Sequence, residues 1–246
     1  MRFCLLVPIY NHKDTIAQVL QSLSVFGLPA VVVDDGSDED TRRVLERLGR
    51  ELPWVDVERL PQNRGRGAAL RCGYLWAAQR NFSHVVQLDA DGQHDPGDVP
   101  RFLDAARRHP DALVLGTPVF DATAPAARVY GRQLSRIIVW AETLTRAVDD
   151  PLCGFRCLPL EPTVRLMRRV RLGDRMEFDP EIVIRLVWDG VPVVNVPTRV
   201  RYFPGGLSHF DLVGDNLRIA WTYLRLLAHL VPRLPARIAA VASGRP

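Results

Sequence analysis

The chain has 246 residues, 47% of them hydrophobic and 24% charged, a composition that excludes disordered and collagen-like proteins. This length suits one large α/β domain with its own core. The formal net charge of +4 is compatible with a phosphate ligand or an acidic lipid, but is too small to indicate either by itself. No apolar run has the length of a membrane span or the features of a secretory signal, so we expect a cytoplasmic protein, free or attached to a membrane face.

Strands and helices alternate in the first half of the chain. The predicted strands lie at 2–7, 30–33, 54–59, 84–88 and 112–116, and the helices between them begin near Asp14, Ser37, Gly65 and Pro96. This alternation predicts a mostly parallel sheet with helices on both faces, where ligands bind at the carboxyl ends of the strands. The polar clusters at 8–11, 34–37 and 89–95 all lie at such ends.

The second half follows a less regular pattern. Helices are predicted over 127–148 and from Asp179-Pro180 to Trp188, and the segment 193–203 is predicted to be extended. Helix resumes near Asp211. No internal repeat or linker divides the chain, which indicates a single domain.

The segment 88–96 (LDADGQHDP) carries the strongest chemical signal. Asp89 and Asp91 lie one residue apart, directly after a predicted buried strand, and Pro96 starts a helix after them. Mg²⁺ and Mn²⁺ both take oxygen ligands, and Mg²⁺ usually binds one or two carboxylates plus substrate phosphates. A metal there would neutralise a diphosphate leaving group. An isolated pair of this kind is more often a solvated turn, but the strand before it and the helix after it favour a metal site.

Two other polar turns carry weaker signals. In the turn 34–37 (DDGS), a carboxylate at the strand end can accept hydrogen bonds from a ribose or a base edge, although helix capping explains Ser37 equally well. In 63–68 (NRGRGA), glycines at a helix start allow close backbone approach, and two arginines supply positive charge beside a phosphate. The second turn lacks the GxGxxG spacing, which disfavours a dinucleotide-binding protein.

Taken in order, these motifs resemble the family 2 glycosyltransferases of the GT-A fold, especially the dolichyl-phosphate mannosyltransferase-like branch. The resemblance covers residues 4–210. It rests on five segments: VPIYN at 7–11, DDGS at 34–37, NRGRGA at 63–68, DADGQH at 89–94, and Asp149 or Asp150 together with CGFR at 153–156. It implies an α/β, Rossmann-like, mostly parallel central sheet with helices on both faces, followed by a C-terminal amphipathic helical tail.

The resemblance also implies a role for each segment. Metal ligands are expected at Asp89 and Asp91, with Gln93 as a third candidate, and Asp91 is also counted as catalytic. The expected nucleotide contacts are Pro8, Tyr10, Asn11, Asp34, Asp35, Asn63, Arg66, Gly67, Asp89 and Ala90. The expected contacts to the acceptor or its phosphate are Arg156, Arg199, Arg201, Ser208 and His209. His209 stands where a lysine is common in the family, so the arginine that meets the phosphate stays open.

These implications predict a metal-dependent, inverting glycosyltransferase that uses Mg²⁺ or Mn²⁺ and a nucleotide-sugar such as GDP-mannose or a UDP-hexose. If the acceptor is a polyprenyl phosphate, it is already an anion and no general base is needed. If the acceptor is a hydroxyl of a glycolipid, polysaccharide or lipid-linked product, Asp150 or Asp149 is the candidate base. A catalytically silent nucleotide-sugar-binding protein is the third alternative. No nucleic acid is expected as a partner, and the oligomeric state is left open.

The resemblance divides the chain into a glycosyltransferase domain and a tail. The domain covers 1–210, with a nucleotide-binding half at about 1–117 and an acceptor half at about 118–210, and the tail covers 211–246. In the tail, apolar and aromatic residues alternate with arginines, a pattern typical of helices on anionic membranes. Packing on the domain is favoured for 212–228 and membrane binding for 229–240. We therefore expect a cytoplasmic protein, peripheral on the inner face of the membrane.

Overall fold

The computed structural model describes residues 1–120, 126–201, 211–231 and 234, with the side chains of 126–128 excepted. The strands in these ranges are β1 (Phe3–Ile9), β2 (Ala30–Asp34), β3 (Val55–Arg59), β4 (His84–Gln87), β5 (Leu113–Phe120), β6 (Arg156–Pro159) and β7 (Val193–Val200). They form one sheet in the order β3-β2-β1-β4-β6-β5-β7. The helices are α1 (Ile16–Leu23), α2 (Glu39–Glu51), α3 (Arg66–Gln79), α4 (Val99–Arg108), α5 (Ala126–Thr143), α6 (Leu160–Arg169), α7 (Phe178–Trp188) and α8 (Gly214–Leu230).

Helices cover both faces of the sheet, as predicted. On one face α1, α2 and α4 pack in one apolar cluster, and on the other face α3, α5, α6, α7 and α8 pack in a second. Strand β1 shows why the two clusters form. Its side chains alternate, so that Cys4 and Leu6 enter one cluster while Leu5 and Val7 enter the other. A strand buried on both faces has to be apolar throughout, which explains the continuous apolar run in the sequence.

Strand β6 is antiparallel to the other strands of the sheet, and its direction determines which loops lie close together. Strands β1, β2, β3 and β4 are parallel, so the loops that follow β1, β2 and β4 leave from one edge. Strand β6 is antiparallel to both β4 and β5 and pairs its first residue, Arg156, with Gln87 at the end of β4. The segment before β6 therefore reaches the same edge as the loop after β4.

The predicted fold class is confirmed, and several element boundaries need correction. Helix α1 begins at Ile16, two residues after the predicted start near Asp14. The helix predicted over 127–148 ends at Thr143, where the next residue, Leu144, has a positive φ of 56°. Asp179 lies inside α7 rather than capping it.

The tail prediction is partly outside the described residues. Helix α8 covers the first part of the predicted tail helix, and positions 235–240 are not described. Within the described ranges, every helix is too short or too polar to span a bilayer. The predicted division into 1–210 and 211–246 stays a prediction.

Candidate functional site

A cavity of about 460 Å³ opens at the edge of the sheet where β1, β2 and β4 end. Its walls are the loops after these strands, the start of α3, the segment 175–179 and the first turn of α8. The predicted site residues that line it are Pro8, Tyr10, Asp35, Asn63, Arg66, Asp89, Ala90, Asp91 and Gln93. Four separate sequence motifs thus meet at one cavity, because parallel strands bring their carboxyl ends to a common edge.

Asp89 lies directly after β4 at the floor of this cavity. Its Oδ1 lies 2.6 Å from Nη1 of Arg66, and its Oδ2 lies 3.4 Å from Nε2 of His94. Burial by itself would raise the pKa of Asp89, but the charges of Arg66 and His94 outweigh burial and hold this pKa well below its usual range. Gly154 packs so closely against the carboxylate that any side chain at this position would collide with it. Asp89 is therefore held ionised.

Asp91 faces the same cavity two residues further on. Its Oδ1 accepts a hydrogen bond from the backbone N–H of Gln93 at 2.9 Å. Burial, and then the negative charge of Asp89, raise the pKa of Asp91. The two carboxylates thus repel one another, which is the situation that a bound cation relieves.

The carboxylate oxygens of Asp89 and Asp91 fit a divalent cation whose remaining coordination positions are filled by a bound substrate. Asp89 Oδ1 is buried and, despite its ion pair with Arg66, lacks a hydrogen bond with suitable geometry to any described residue. In the described ranges, no group of three or more His, Cys, Asp or Glu side chains is arranged to hold a metal ion, so protein side chains alone do not complete a site. Two carboxylates together with phosphate oxygens from a substrate are a usual set for Mg²⁺.

Asp35 fixes a second wall of the cavity. Its carboxylate accepts hydrogen bonds from the backbone N–H groups of Arg64 (2.7 Å) and Gly65 (2.8 Å), which ties the loop after β2 to the start of α3. Burial raises the pKa of Asp35 more than these hydrogen bonds lower it. The next residue, Gly36, has a φ of 68° and lies against the backbone of residues 62 and 63, so only glycine fits there.

The structure corrects the prediction that Asp34 contacts a nucleotide. Asp34 is 1% exposed, forms an ion pair with Arg59 and accepts a hydrogen bond from the Ser37 backbone at 2.9 Å. Asp34 does not line the cavity, and its contacts hold the turn after β2. Asn11 also lies outside the cavity lining, because its Oδ1 accepts from the Asp38 backbone at 2.8 Å and so joins two loops.

Gly67 is a second structural residue among the predicted nucleotide contacts. A side chain at this position would collide with Phe178 and with the backbone carbonyl of Gly173. The glycine therefore allows α3 to pack closely against the segment that leads into α7, and the backbone N–H of Ala68 donates to the Asp174 carbonyl at 3.0 Å.

A chain of charges runs from Asp89 into the protein interior. Arg66 bridges Asp89 and Asp179, with its Nε 2.7 Å from Asp179 Oδ2. The other oxygen of Asp179 lies 3.2 Å from Nη1 of Arg156. Arg156 is 0% exposed and donates to the backbone carbonyls of Cys153, Pro151 and Asp179. The prediction that Arg156 contacts an acceptor phosphate is therefore wrong for this structure, because no part of its side chain is accessible.

The candidate bases Asp149 and Asp150 also lie outside the cavity lining. Asp150 is 5% exposed, and its oxygens accept from Nη1 of Arg132 and from the Leu152 backbone at 2.7 and 2.8 Å. The Asp149 carboxylate lies 3.4 Å from the Thr117 hydroxyl. Only Leu152 of this segment lines the cavity.

The remaining predicted acceptor contacts lie beside the 89–95 loop or outside the described residues. The backbone N–H of Arg201 donates to the Gln93 carbonyl at 3.0 Å, and both residues line a smaller cavity of about 250 Å³. Arg199 is exposed, and its backbone N–H donates to Asp98 at 3.3 Å. Ser208 and His209 lie in the range that the structure leaves undescribed.

Sequence analysis missed four charged or titratable residues of the cavity, three of which are far from the motifs along the chain. His12, Arg175, Asp179 and Asp215 all line the cavity. Asp179 lies in the MEFDPE segment, but its position before a proline gave it the appearance of a helix cap. Asp215 lies in the first turn of α8, in what seemed to be a separate tail. A pairing such as that of Arg66 with Asp179 has no local pattern in the sequence.

The comparisons with known proteins agree with this geometry. The model of Glycosyl transferase family 2 matches residues 4–169. An undecaprenyl-phosphate mannosyltransferase from Micrococcus luteus is 31% identical over 207 residues, covering 80% of this chain and 82% of that protein. A polyprenol monophosphomannose synthase from Mycolicibacterium smegmatis is 27% identical over 230 residues, covering 89% of this chain and 84% of that protein.

A solved structure shares the fold over nearly the whole chain. The mannosyltransferase PcManGT from Pyrobaculum calidifontis, in complex with GDP-Man and Mn²⁺, has a TM-score of 0.58 at 16% identity and covers 99% of this chain and 79% of its own. Chains of S. aureus TarS also share the fold, and this chain spans 37% to 66% of their lengths. Because the family model covers more than half of the chain and its motifs meet at one cavity, the protein belongs to the family 2 glycosyltransferases and is an enzyme of that class.

Proposed function

We propose that this enzyme transfers mannose from GDP-mannose to a polyprenyl phosphate, with Mg²⁺ or Mn²⁺ as cofactor. The observation that carries the proposal is the pair Asp89 and Asp91, two carboxylates facing one cavity and arranged to share a cation with a diphosphate. The names of the two bacterial relatives support mannose and a polyprenyl phosphate. The metal and the GDP-sugar bound by the Pyrobaculum calidifontis enzyme support the cofactor and the donor.

Each wall of the cavity has a part in holding the donor. The carboxylate of Asp35 lies where a ribose or a base edge would sit at the end of β2, as acidic residues do in related α/β folds. Asp89 and Asp91 would hold the cation, which would neutralise the negative charge that develops on the leaving diphosphate. Arg175, which is exposed and lines the cavity, supplies further positive charge on the opposite wall.

The reaction is a single displacement at the anomeric carbon. A phosphate oxygen of the acceptor forms the new bond to this carbon as the bond to the diphosphate breaks, and the configuration inverts. A phosphate acceptor is already ionised, so the step needs no general base. The geometry of Asp150 supports this choice of acceptor, because its carboxylate is engaged by Arg132 and the Leu152 backbone and lies outside the cavity lining.

A thermal-shift experiment tests the donor and the metal together. GDP and UDP are added separately, each with and without Mn²⁺, to the wild type and to Asp91→Ala. We expect GDP with Mn²⁺ to raise the Tm of the wild type, because a ligand at a hundred times its Kd stabilises the native state by about 2.7 kcal/mol. Asp91→Ala should lose this shift, whereas Asp104→Ala, which removes an exposed carboxylate on α4, should keep it.

The other outcomes are equally informative. A metal-dependent shift with UDP alone would replace GDP-mannose by a UDP-sugar as donor. Absence of a shift with either nucleotide would overturn the proposed donor site. A nucleotide shift that Asp91→Ala retains would overturn the assignment of the metal to Asp91.

A further inference from the structure

Helices α5 and α8 leave large apolar side chains exposed on their outer surface. The two helices pack against one another at one end of the helical layer. The exposed side chains form what we call the α5–α8 face: Tyr130, Leu134 and Ile137 of α5, and Leu217, Trp221 and Leu224 of α8. Their exposed fractions range from 57% to 75%. Large apolar side chains that are exposed on two neighbouring helices of a folded protein usually mark an interaction site.

The helical spacing shows that this exposure is systematic. The α5 members lie at positions i, i+4 and i+7, and the α8 members repeat the same spacing. The opposite side of α8 packs into the core through Ile219, Tyr223 and Leu226. Helix α8 is therefore apolar on both sides, whereas a helix that faces water normally has one polar side.

Helices α5 and α8 bury their carboxylates, so the charges that they expose are positive. Their only carboxylates are Glu142 and Asp215, which are 2% and 4% exposed. Arg218 is exposed and pairs with Asp215 at 3.0 Å, while Arg225 is partly buried and donates to Glu181 at 2.8 Å. The sequences of the two helices nevertheless carry five arginines against two carboxylates. The outer surface of α5 and α8, over the side chains that the structure describes, is thus apolar and cationic without an exposed carboxylate. This combination complements an anionic lipid surface.

We propose that the α5–α8 face seats the enzyme on an anionic bilayer. The proposal rests on the proposed polyprenyl phosphate acceptor, whose chain lies in a membrane. Asp215 lines the cavity from the first turn of α8, so the face begins where the cavity opens. A bilayer under this face would deliver the acceptor phosphate to the cavity. A second copy of the chain on the same surface would instead stand between the cavity and its lipid substrate.

Vesicle sedimentation with the full chain tests this proposal. The wild type is mixed with vesicles of phosphatidylcholine alone or of phosphatidylcholine with phosphatidylglycerol. We expect sedimentation with the second kind only, accompanied by a blue shift of tryptophan emission that Trp221→Phe removes. Leu134→Ser combined with Leu217→Ser should weaken partitioning about tenfold or more, because each substitution removes an exposed side chain that lipid would bury. Val25→Ser, an equally apolar change at a residue 77% exposed on the other face of the sheet, should change it less than twofold.

Three results would overturn the proposal. The first is that the wild type does not sediment with anionic vesicles, and the second is that the double variant sediments as well as the wild type. The third is a stable dimer in vesicle-free solution that the double variant dissociates, which would assign the face to a second copy. The nucleotide shift of the double variant is measured in parallel. If the shift is retained while vesicle binding fails, the donor site stands and only the membrane face is lost.

Discussion

The cavity has two sides that are built in different ways. On the donor side, Asp35, Asp89 and Asp91 project from the ends of parallel strands into the cavity. On what the resemblance predicts to be the acceptor side, Asp150 and Arg156 are buried and hydrogen-bonded to other groups of the protein. Both sides carry charged residues in motifs that resemble family segments, yet Asp35, Asp89 and Asp91 line the cavity whereas Asp150 and Arg156 do not.

The topology of the sheet explains the difference. Parallel strands end at one edge, and the short loops after β1, β2 and β4 place polar side chains there, where they line the cavity. Strand β6 reaches the same edge from the opposite direction, by its first residue, Arg156. The segment before it crosses the interior, where a charged group is stable only when it is paired and hydrogen-bonded. On this side Asp150 and Arg156 therefore contact other groups of the protein instead of lining the cavity.

The largest expected effect is on activity, which should fall steeply in Asp91→Asn and only slightly in Asp150→Asn. Asp91→Asn should lower kcat/KM for the proposed mannose transfer at least about a thousandfold, because it removes a proposed ligand of the cation that would stabilise the leaving group. Its Tm should change little, since Asn can still accept the hydrogen bond from the Gln93 backbone.

Asp150→Asn on the acceptor side should keep transfer within about tenfold of wild type while lowering the Tm, because it weakens the buried pair with Arg132. Transfer assays and thermal melts measure both, and a thousandfold loss in Asp150→Asn would restore it as a general base.

A second prediction concerns the contribution of the buried Arg156 to the free energy of unfolding. Arg156→Met should lower the free energy of unfolding by about 3 kcal/mol, because it removes the charged partner of Asp179 and the hydrogen bonds to the Pro151 and Cys153 carbonyls. Arg165→Met is the matched control, since it removes an exposed pair with Glu161 and should cost about 0.5 kcal/mol or less. Urea denaturation measures both variants. Equal costs would show that the interior of the acceptor side does not depend on Arg156.

The smallest expected effect concerns Glu142, a buried carboxylate whose negative charge few interactions stabilise. Glu142 of α5 is 2% exposed, its Oε2 lacks a hydrogen-bond partner among the described residues, and burial raises its pKa from 4.5 to about 8. The raised pKa means that the folded state binds this proton more tightly than the unfolded state does. Its contribution to stability is therefore complete below pH 4.5 and is lost as the pH rises towards 8.

Glu142→Gln should remove this part of the pH dependence. The variant should match the wild type in acid and be more stable by about 1–3 kcal/mol above pH 8, since Gln carries no charge that has to be buried. Urea denaturation over this pH range measures the difference. A difference between the two proteins that does not vary with pH would show that Glu142 does not titrate as proposed.

Much of the donor side could be predicted from local sequence. Buried strands with β-branched residues, a polar turn after each and a helix start beyond it predicted the sheet and the clustering of Asp35, Asp89 and Asp91 at one edge. The pattern could not separate Asp34 from its neighbour. Both stand at the same strand end, and the ion pair with Arg59 on β3 decides which one turns away from the cavity.

The sequence by itself determined the fold class, the family resemblance and the strand-end carboxylates, because periodicity and turn chemistry are local properties of the chain. Only the tertiary structure decided that Arg156 is buried, that Asp179 pairs with Arg66 across 113 residues, and that α8 supplies Asp215 to the cavity while its outer side joins that of α5. These features depend on contacts between residues that are distant along the chain. The burial and partners of a side chain are set by whichever elements pack against it, and no spacing within one segment records them.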